Sequence, residues 1–274
     1  MKVYIMTDME GCAGIVNHDE WVAADGRFFD DGREILTDEV NAAVEGFFTA
    51  GATQVDVLDG HGAGGVHPPL LDSRARFVRC LTGYPWLLDQ GYDVMAWVGQ
   101  HAKAGTKLAH ICHTGWFNVI DERINGVSIG EFGAIAVVGA AFGVVPIFGS
   151  GDHAFTLEAQ ALTPGIETVS VKNGLTEDDG LQCDCDAYRN HNLSAVHVHP
   201  ERAQDLIRTG AERALRRFLE NPGSFTIPVI KPPFVLEKDF RADKNKPAYS
   251  ARILEAECIA KLFNTRVEEK HIIK

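Results

Sequence analysis

The stretch that decides the fold is VYIMTDMEG, residues 3–11. Its opening apolar, β-branched and aromatic residues predict a buried strand from Val3 to Met6. Residues two apart in an extended segment point to the same side, so Asp8 and Glu10 are expected to lie together just past the strand. Taken alone, such a pair is more often a solvated strand end than a ligand site.

Two further strands end in the same way. The predicted strand at 55–58 runs into Asp-Gly-His, which ends at His61, and the strand at 94–98 runs into Gly-Gln-His, which ends at His101. Open α/β sheets place their sites just past the carboxyl ends of the strands. Because glycines beside each polar residue leave room for an ion, the repetition predicts that Asp8, Glu10, His61 and His101 share one site.

Helical and strand patterns alternate along the chain, which is typical of a layered α/β/α core around a mostly parallel or mixed sheet. Apolar spacing predicts helices at 35–47, 131–142, 203–219 and 251–263, strands at 144–148 and within 225–240, and a hairpin turn at Asn125-Gly126. We assign residues 1–190 to a metal-binding α/β core and 191–274 to a smaller C-terminal α+β lobe packed on it, unless the two form one continuous domain.

Composition and charge exclude several classes of protein. The formal net charge of −12 opposes binding to nucleic-acid phosphates, which depends on clustered Lys and Arg. No stretch is long and apolar enough for a membrane span, and the N-terminal residues do not have the pattern of a signal peptide. The six cysteines, including Cys80, are therefore expected to be reduced thiols, and we expect a cytoplasmic protein.

Two more residues are candidates for chemistry, each with a competing interpretation. Glu131 opens a predicted helix, so it either ligates an ion or interacts favourably with the helix N-terminus. His113 enters an aromatic segment, and His110 competes with it for any catalytic role. The pairs His197/His199 and Cys183/Cys185 have ligand spacing but lack partners at a strand end, so we interpret them as a strand face and a polar loop.

Seven segments, in order along the first part of the chain, form a specific set of motifs: DMEG (8–11), TDEVN (37–41), DGH (59–61), GQHAKA (99–104), HT (113–114), VSIGE (127–131) and GD (151–152). Together they resemble the DppA-type D-aminopeptidase family of binuclear zinc peptidases. The resemblance implies that Asp8 bridges two zinc ions, that Glu10 and His101 complete one site and that His61 and Glu131 complete the other. It further implies a catalytic His113, short peptide substrates with an N-terminal D-residue, and a ring-like homo-oligomer, a decamer in the family.

The implied chemistry is electrostatically consistent. Asp8, Glu10 and Glu131 would raise one another's pKa values in a shared pocket, whereas two zinc ions and one hydroxide would neutralise them. Manganese or cobalt would also suit such oxygen and imidazole ligands. His113 would act as a proton shuttle or as a nucleophile, and Asp59, Asp152 and Asp38 are the carboxylates expected to support ligating histidines. The rival functions are another binuclear hydrolase, such as an amidase or phosphoesterase, and a non-catalytic metal-stabilised binding protein.

Overall fold

The computed structural model describes residues 1–79, 83–244 and 246–273. Twelve strands are found there: β1 Lys2–Thr7, β2 Gln54–Asp59, β3 Arg76–Val78, β4 Val94–Gln100, β5 Val119–Ile124, β6 Val127–Ile129, β7 Val145–Asp152, β8 Glu167–Gly174, β9 Ala195–His197, β10 Phe234–Phe240, β11 Tyr249–Glu255 and β12 Ile272–Ile273. The helices in the same residues are α1 His18–Trp21, α2 Phe29–Thr49, α3 Glu131–Ala141, α4 His153–Leu162, α5 Cys185–Arg189, α6 Pro200–Glu220 and α7 Ile259–Asn264. Three short 3-10 turns lie at Pro68–Leu70, Pro222–Ser224 and Glu269–His271.

The large sheet has the strand order β3-β2-β1-β4-β7-β8-β9. All its neighbours pair in parallel except β9, which runs antiparallel to β8. Its central strands are apolar and buried on both faces, as a parallel sheet covered by helices requires. The α/β fold class predicted from the sequence is confirmed.

Helices cover both faces of this sheet. On one face, Phe47 of α2 meets Phe148 of β7 edge to face at 6.0 Å, and α6 packs along α2. On the other face, Trp97 of β4 meets Phe132 of α3 at 4.6 Å, and Phe132 meets Phe155 of α4 at 5.4 Å. The core of the protein therefore lies in two apolar layers on either side of the sheet.

A smaller antiparallel sheet has the order β12-β11-β10-β5-β6. It combines the predicted hairpin of β5 and β6 with strands from the C-terminal part of the chain. The long helix α6 packs against α2 in the main layers. The division of the chain at residue 190 stays a prediction.

One element was predicted wrongly. Residues 251–263 were expected to form a helix, but β11 occupies Tyr249–Glu255 and the helix is only Ile259–Asn264. Ala251 and Ile253 are buried while Arg252 and Leu254 are exposed, which is the alternation of a strand. Pairing with β10, from Phe240↔Tyr249 to Phe234↔Glu255, supplies the hydrogen bonds that a helix would otherwise have made internally.

The described cysteines are all free thiols: Cys12, Cys112, Cys183, Cys185 and Cys258. Cys80 lies outside the described residues. Within the described ranges, none of the helices combines the length and apolar character that crossing a bilayer requires.

Candidate metal centre

The predicted ligands meet at the carboxyl edge of the large sheet. Asp8 follows β1, His61 follows β2 and His101 follows β4. Because β1 pairs in parallel with both β2 and β4, with Thr7 opposite Asp59 and Val98, the three strand ends lie side by side. Polar residues that follow neighbouring parallel strands meet at the carboxyl edge of the sheet, and open α/β sheets place their sites there.

A close backbone approach brings the Asp8–Gly11 segment against the end of β4. The amide of Asp8 donates to the Val98 carbonyl at 3.0 Å, and the amide of Gly11 donates to the Gly99 carbonyl at 2.7 Å. Gly99 has φ +76°, and a Cβ there would lie 2.0 Å from the Asp8 carbonyl oxygen. Only glycine allows both this left-handed backbone and this contact.

Asp8, Glu10 and His61 form one cluster, in which one potential ligand atom from each residue lies within 4.8 Å of the others. The His61 Nε2 atom is 3.9 Å from Glu10 Oε1. Asp8 is oriented by two donors, since its Oδ1 accepts from the Met9 amide at 3.0 Å and its Oδ2 from Gln100 Nε2 at 3.0 Å.

His101, His113 and Glu131 form a second cluster that meets the same 4.8 Å criterion. Glu131 Oε1 is 3.5 Å from His101 Nε2 and 3.7 Å from His113 Nε2. Asp8 joins the clusters, because its Oδ2 is 3.2 Å from His101 Nε2. Asp8 thus lies between them, as a bridging carboxylate must. The family resemblance implies that Glu10 pairs with His101 and His61 with Glu131. In the structure Glu10 lies near His61 and Glu131 near His101, and the pairing around each ion stays a prediction.

Backbone carbonyls set the orientation of two imidazoles. His101 Nδ1 donates to the Ala102 carbonyl at 2.8 Å, and His113 Nδ1 donates to the Ile111 carbonyl at 3.0 Å. In the neutral ring, a proton on Nδ1 leaves the lone pair on Nε2. In its neutral form each ring would therefore present the Nε2 lone pair toward Glu131, which is the form that a metal or a proton requires. Burial acts to lower the pKa of His101, but the neighbouring Glu131 and Asp8 outweigh it and raise that pKa well above its usual range.

The pKa values of the site show how much negative charge it concentrates. Burial raises the pKa of Asp8 well above its usual range, and the Glu10 carboxylate adds to the effect. Burial also acts to raise the pKa of Glu131, but the neighbouring His101 outweighs it and lowers that pKa to about 2. Burial and the charge of His101 lower the pKa of His113 to about 4. Without a cation, each ionised carboxylate makes ionisation of its neighbours less favourable, unless a nearby histidine is protonated.

A cavity of about 390 Å³ opens onto these side chains. Its lining also includes small and apolar residues from the turn after α1 and the loop after β2, together with the exposed Trp116: Val22, Ala23, Ala24, Gly62, Ala63 and Trp116. His18 also lines the cavity, and its ring packs edge-on against Trp116 at 5.3 Å. The space suits a small group held close to the clustered carboxylates and imidazoles.

His110 and the other pairs with ligand spacing lie elsewhere. His110 is fully buried, its amide donates to Asp152 Oδ2 at 3.0 Å, and its ring meets His197 edge-on at 5.2 Å. Across the described ranges, neither cluster includes His110, His197, His199, Cys183 or Cys185. Of the two competing histidines it is His113 that lies at the site, while its role remains a prediction.

A sequence profile of the D-aminopeptidase family matches residues 1–262. The chain belongs to the D-aminopeptidase family. A curated relative, the D-aminopeptidase of Bacillus subtilis (strain 168), is 30% identical over 184 residues, which cover 64% of this chain and 65% of the relative. The chain is thus aligned with just under two thirds of that relative's length.

The fold of this D-aminopeptidase family member also matches a solved structure. That structure is described as the Zn-dependent D-aminopeptidase DppA from Bacillus subtilis, a self-compartmentalizing protease. The match has a TM-score of 0.80 at 22% identity and covers 96% of this chain and 94% of the other. Two proteins so similar in fold share the arrangement of strands that brings the candidate ligands together.

The carboxylates expected to support ligating histidines do not do so directly. Asp59 Oδ1 instead accepts from the Gly65 amide at 2.9 Å and shapes the loop that carries His61. Asp152 caps α4 by accepting from the Phe155 amide at 2.8 Å, and Asp38 is exposed on α2. Sequence reasoning missed Gln100 as the residue that orients Asp8, because an amide next to a histidine gives no signal of the contact it makes in space.

Proposed function

We propose that this chain is a zinc-dependent aminopeptidase that removes N-terminal residues, of D configuration, from short peptides. The observation that carries the proposal is the convergence of Asp8, Glu10, His61, His101 and Glu131, from four separate segments, into two ligand clusters joined by Asp8. Membership of the D-aminopeptidase family and the names of the two relatives support the activity and the metal.

The donor set fits two zinc ions per subunit. Among the described residues, Glu10 Oε2, His61 Nδ1 and His101 Nε2 are buried polar atoms without a hydrogen-bond partner. Buried polar atoms rarely remain unpaired, and carboxylate and imidazole donors suit zinc. Two divalent ions would balance the negative charge of the three carboxylates. Asp8 would bridge the ions, and Glu10, His61, His101 and Glu131 would complete their coordination.

Zinc would polarise the peptide carbonyl and make a water molecule acidic enough to ionise near neutral pH. The chain's own residues would do the rest. His113, whose Nε2 lone pair faces the site, would take a proton from the attacking water at that atom and return it to the departing amine. The Ile111 carbonyl keeps Nδ1 protonated and so keeps Nε2 the working atom.

The cavity suits a substrate with a small N-terminal residue. The N-terminal residue of a peptide would lie between the clusters and the wall of Ala23, Ala24 and Ala63, with Trp116 over it. These small side chains leave room for a small side chain on the substrate. A D-residue and an L-residue would direct that side chain to different parts of the wall, which is where the stereochemical preference would arise.

The test combines metal analysis with a substrate panel. Purified protein should contain two zinc ions per chain and hydrolyse D-alanyl peptides and amides much faster than the L-forms, and chelation should abolish turnover. A preference for L-aminoacyl amides would overturn the D-specificity. A metal-loaded protein that hydrolyses only a phosphate ester, or nothing, would establish one of the two rival functions.

We further propose that the chain works as a ring-like homo-oligomer, a decamer, in the cytoplasm. The self-compartmentalizing nature of the DppA relative supports an enclosed assembly. Light scattering coupled to gel filtration should give a mass near ten times that of one chain, and a monomeric mass would overturn this proposal. The net charge of −12 argues against nucleic acid as a partner.

A further inference from the structure

A buried lysine lies beside the metal centre, and none of the chemistry above uses it. Lys172 is in β8 and is only 1% exposed. Its Nζ atom donates to two backbone carbonyls, those of Glu10 and of Ile15, the latter at 3.2 Å. Throughout the residues that the structure describes, Lys172 forms no ion pair. A buried ammonium is costly to desolvate, and the hydrogen bonds that offset this cost all go to a single loop.

The loop in question, residues 10–15, is held from several elements at once. The amide of Gly11 donates to the Gly99 carbonyl, that of Ala13 to Glu39 Oε1 at 2.8 Å, and that of Gly14 to His197 Nδ1 at 3.1 Å. The amides of Ala13 and Gly14 lie further along the loop, whereas the Gly11 amide belongs to the same peptide group as the Glu10 carbonyl. Lys172 holds the carbonyl of Glu10 itself, next to the side chain that faces the metal centre.

The Glu10 carboxylate has few hydrogen bonds of its own among the described residues. Its Oε2 is buried and has no hydrogen-bond partner in the described chain, and its Oε1 is 3.9 Å from His61 Nε2. Asp8, by contrast, has Gln100 and the Met9 amide to orient it. A ligand whose carboxylate is loosely held must take its position from its own main chain.

We propose that Lys172 is a positioning residue for Glu10, which fixes the Glu10 peptide so that the carboxylate is already directed at Asp8 and His61 when the metal arrives. The inference rests on the proposed metal centre. Partners that orient a ligand are commonly worth about 10–100-fold in metal affinity. We expect a loss of that size at the ion that Glu10 ligates.

The experiment compares Lys172→Met with wild type in the intact oligomer. Zinc affinity is measured by competition with a chromophoric chelator, and the geometry of the site by the visible spectrum of the cobalt-substituted protein. Lys172→Met should bind the zinc ion that Glu10 ligates about tenfold less tightly or worse and should show an altered cobalt spectrum. Lys172→Arg, which retains the charge and the donors, should restore most of the affinity. Should Lys172→Met fail to fold, Lys172→Gln, a neutral donor on a shorter side chain, should still bind zinc less tightly than wild type.

Two controls separate positioning from general stability. Lys238→Met breaks the 2.7 Å ion pair with the buried Glu122 in the small sheet, so it should lower the melting temperature with zinc affinity unchanged. In a Glu10→Gln background, Lys172→Met should add little further loss, because the two changes act through one ligand.

The outcomes are distinct. A Lys172→Met protein that melts earlier but keeps wild-type zinc affinity and an unchanged cobalt spectrum would overturn the positioning role and leave the metal centre intact. A wild-type protein that binds no zinc would overturn the proposed function and this inference with it.

Discussion

The rings of His101 and His113 stack face to face, with centroids 4.1 Å apart and an angle of 18° between their planes. Each ring donates through Nδ1 to a backbone carbonyl, so both Nε2 atoms point to the same side, toward Glu131. The stack places one histidine proposed as a ligand and one proposed as a proton carrier within reach of a single carboxylate. The two histidines have the same hydrogen-bonding pattern and differ only in where they lie in the site. Mutating each one separately can therefore distinguish the two proposed roles.

Replacing His113 by Ala should leave the zinc content at the wild-type level and lower kcat by about 10²–10⁴-fold, the usual contribution of a general acid-base group. Metal analysis and steady-state kinetics on the same preparation check this. His110→Ala is the matched variant, and it should retain kcat because His110 lies outside both clusters. Loss of zinc together with activity in His113→Ala would instead identify His113 as a ligand.

Asp8→Asn should release both metal ions, whereas Glu10→Gln should weaken only one. The reason is that Asp8 belongs to one cluster and its Oδ2 also lies 3.2 Å from His101 in the other. Equilibrium dialysis against zinc, followed by elemental analysis, gives the stoichiometry of each variant. If Asp8→Asn retained one tightly held zinc, the bridging position of Asp8 would be wrong.

Gly99→Ala should destabilise the protein by about 3 kcal/mol or more, because it combines backbone strain with a severe overlap. The added Cβ would lie 2.0 Å from the Asp8 carbonyl oxygen and 2.6 Å from Cys12 Sγ. Gly126→Ala is the control, since Gly126 has a similar φ of +81° but open space around it. That variant should lose only about 1 kcal/mol. Urea unfolding measures the free energy of unfolding of both variants. Equal losses in the two would contradict the steric argument.

The edge of the large sheet carries an acid-sensitive contact. Burial acts to raise the pKa of Asp56, but hydrogen bonds from Arg76 and from Tyr92, the latter at 2.6 Å, outweigh it and lower that pKa. A lowered pKa in the folded state means that the contribution to stability is present near neutral pH and is lost as the pH falls through that pKa.

Arg76→Met should therefore cost about 1–2 kcal/mol of unfolding free energy at pH 7, a value reduced from that of a fully buried pair because the arginine is largely exposed. The difference between the variant and wild type should shrink as the pH is lowered. Denaturant melts at pH 7 and pH 3 measure both values. A difference that grows toward acid pH would contradict the assignment.

Local pattern was sufficient for much of the fold. The strands at 3–6, 55–58 and 94–98 were predicted from apolar runs, and the structure has each of them, extended by one or two residues at one or both ends. The polar residues directly after these strands also indicated the site, because their position next to a strand end can be read from the local sequence. The strand β11 was missed because its hydrogen bonds come from β10, some 15 residues away along the chain, and no local pattern contains them.

The choice between His110 and His113 depended on the backbone between them. Leu108 and Ile111 adopt positive φ values of 55° and 54°, which apolar side chains rarely do, and this irregular path directs His113 into the site and His110 into the core. Lys172 shows the same limit: its position in a strand gave no indication that it is buried against the Glu10 carbonyl.

The sequence by itself determined the fold class, the strands that carry the site and the residue types at their ends, because these follow from hydrophobic periodicity and from chemistry within a few residues. Only the tertiary structure decided which ligands are neighbours, which histidine faces them and which buried cation holds Glu10. Those relationships depend on strand order and on contacts between residues far apart in the chain, and such contacts leave no local pattern in the sequence.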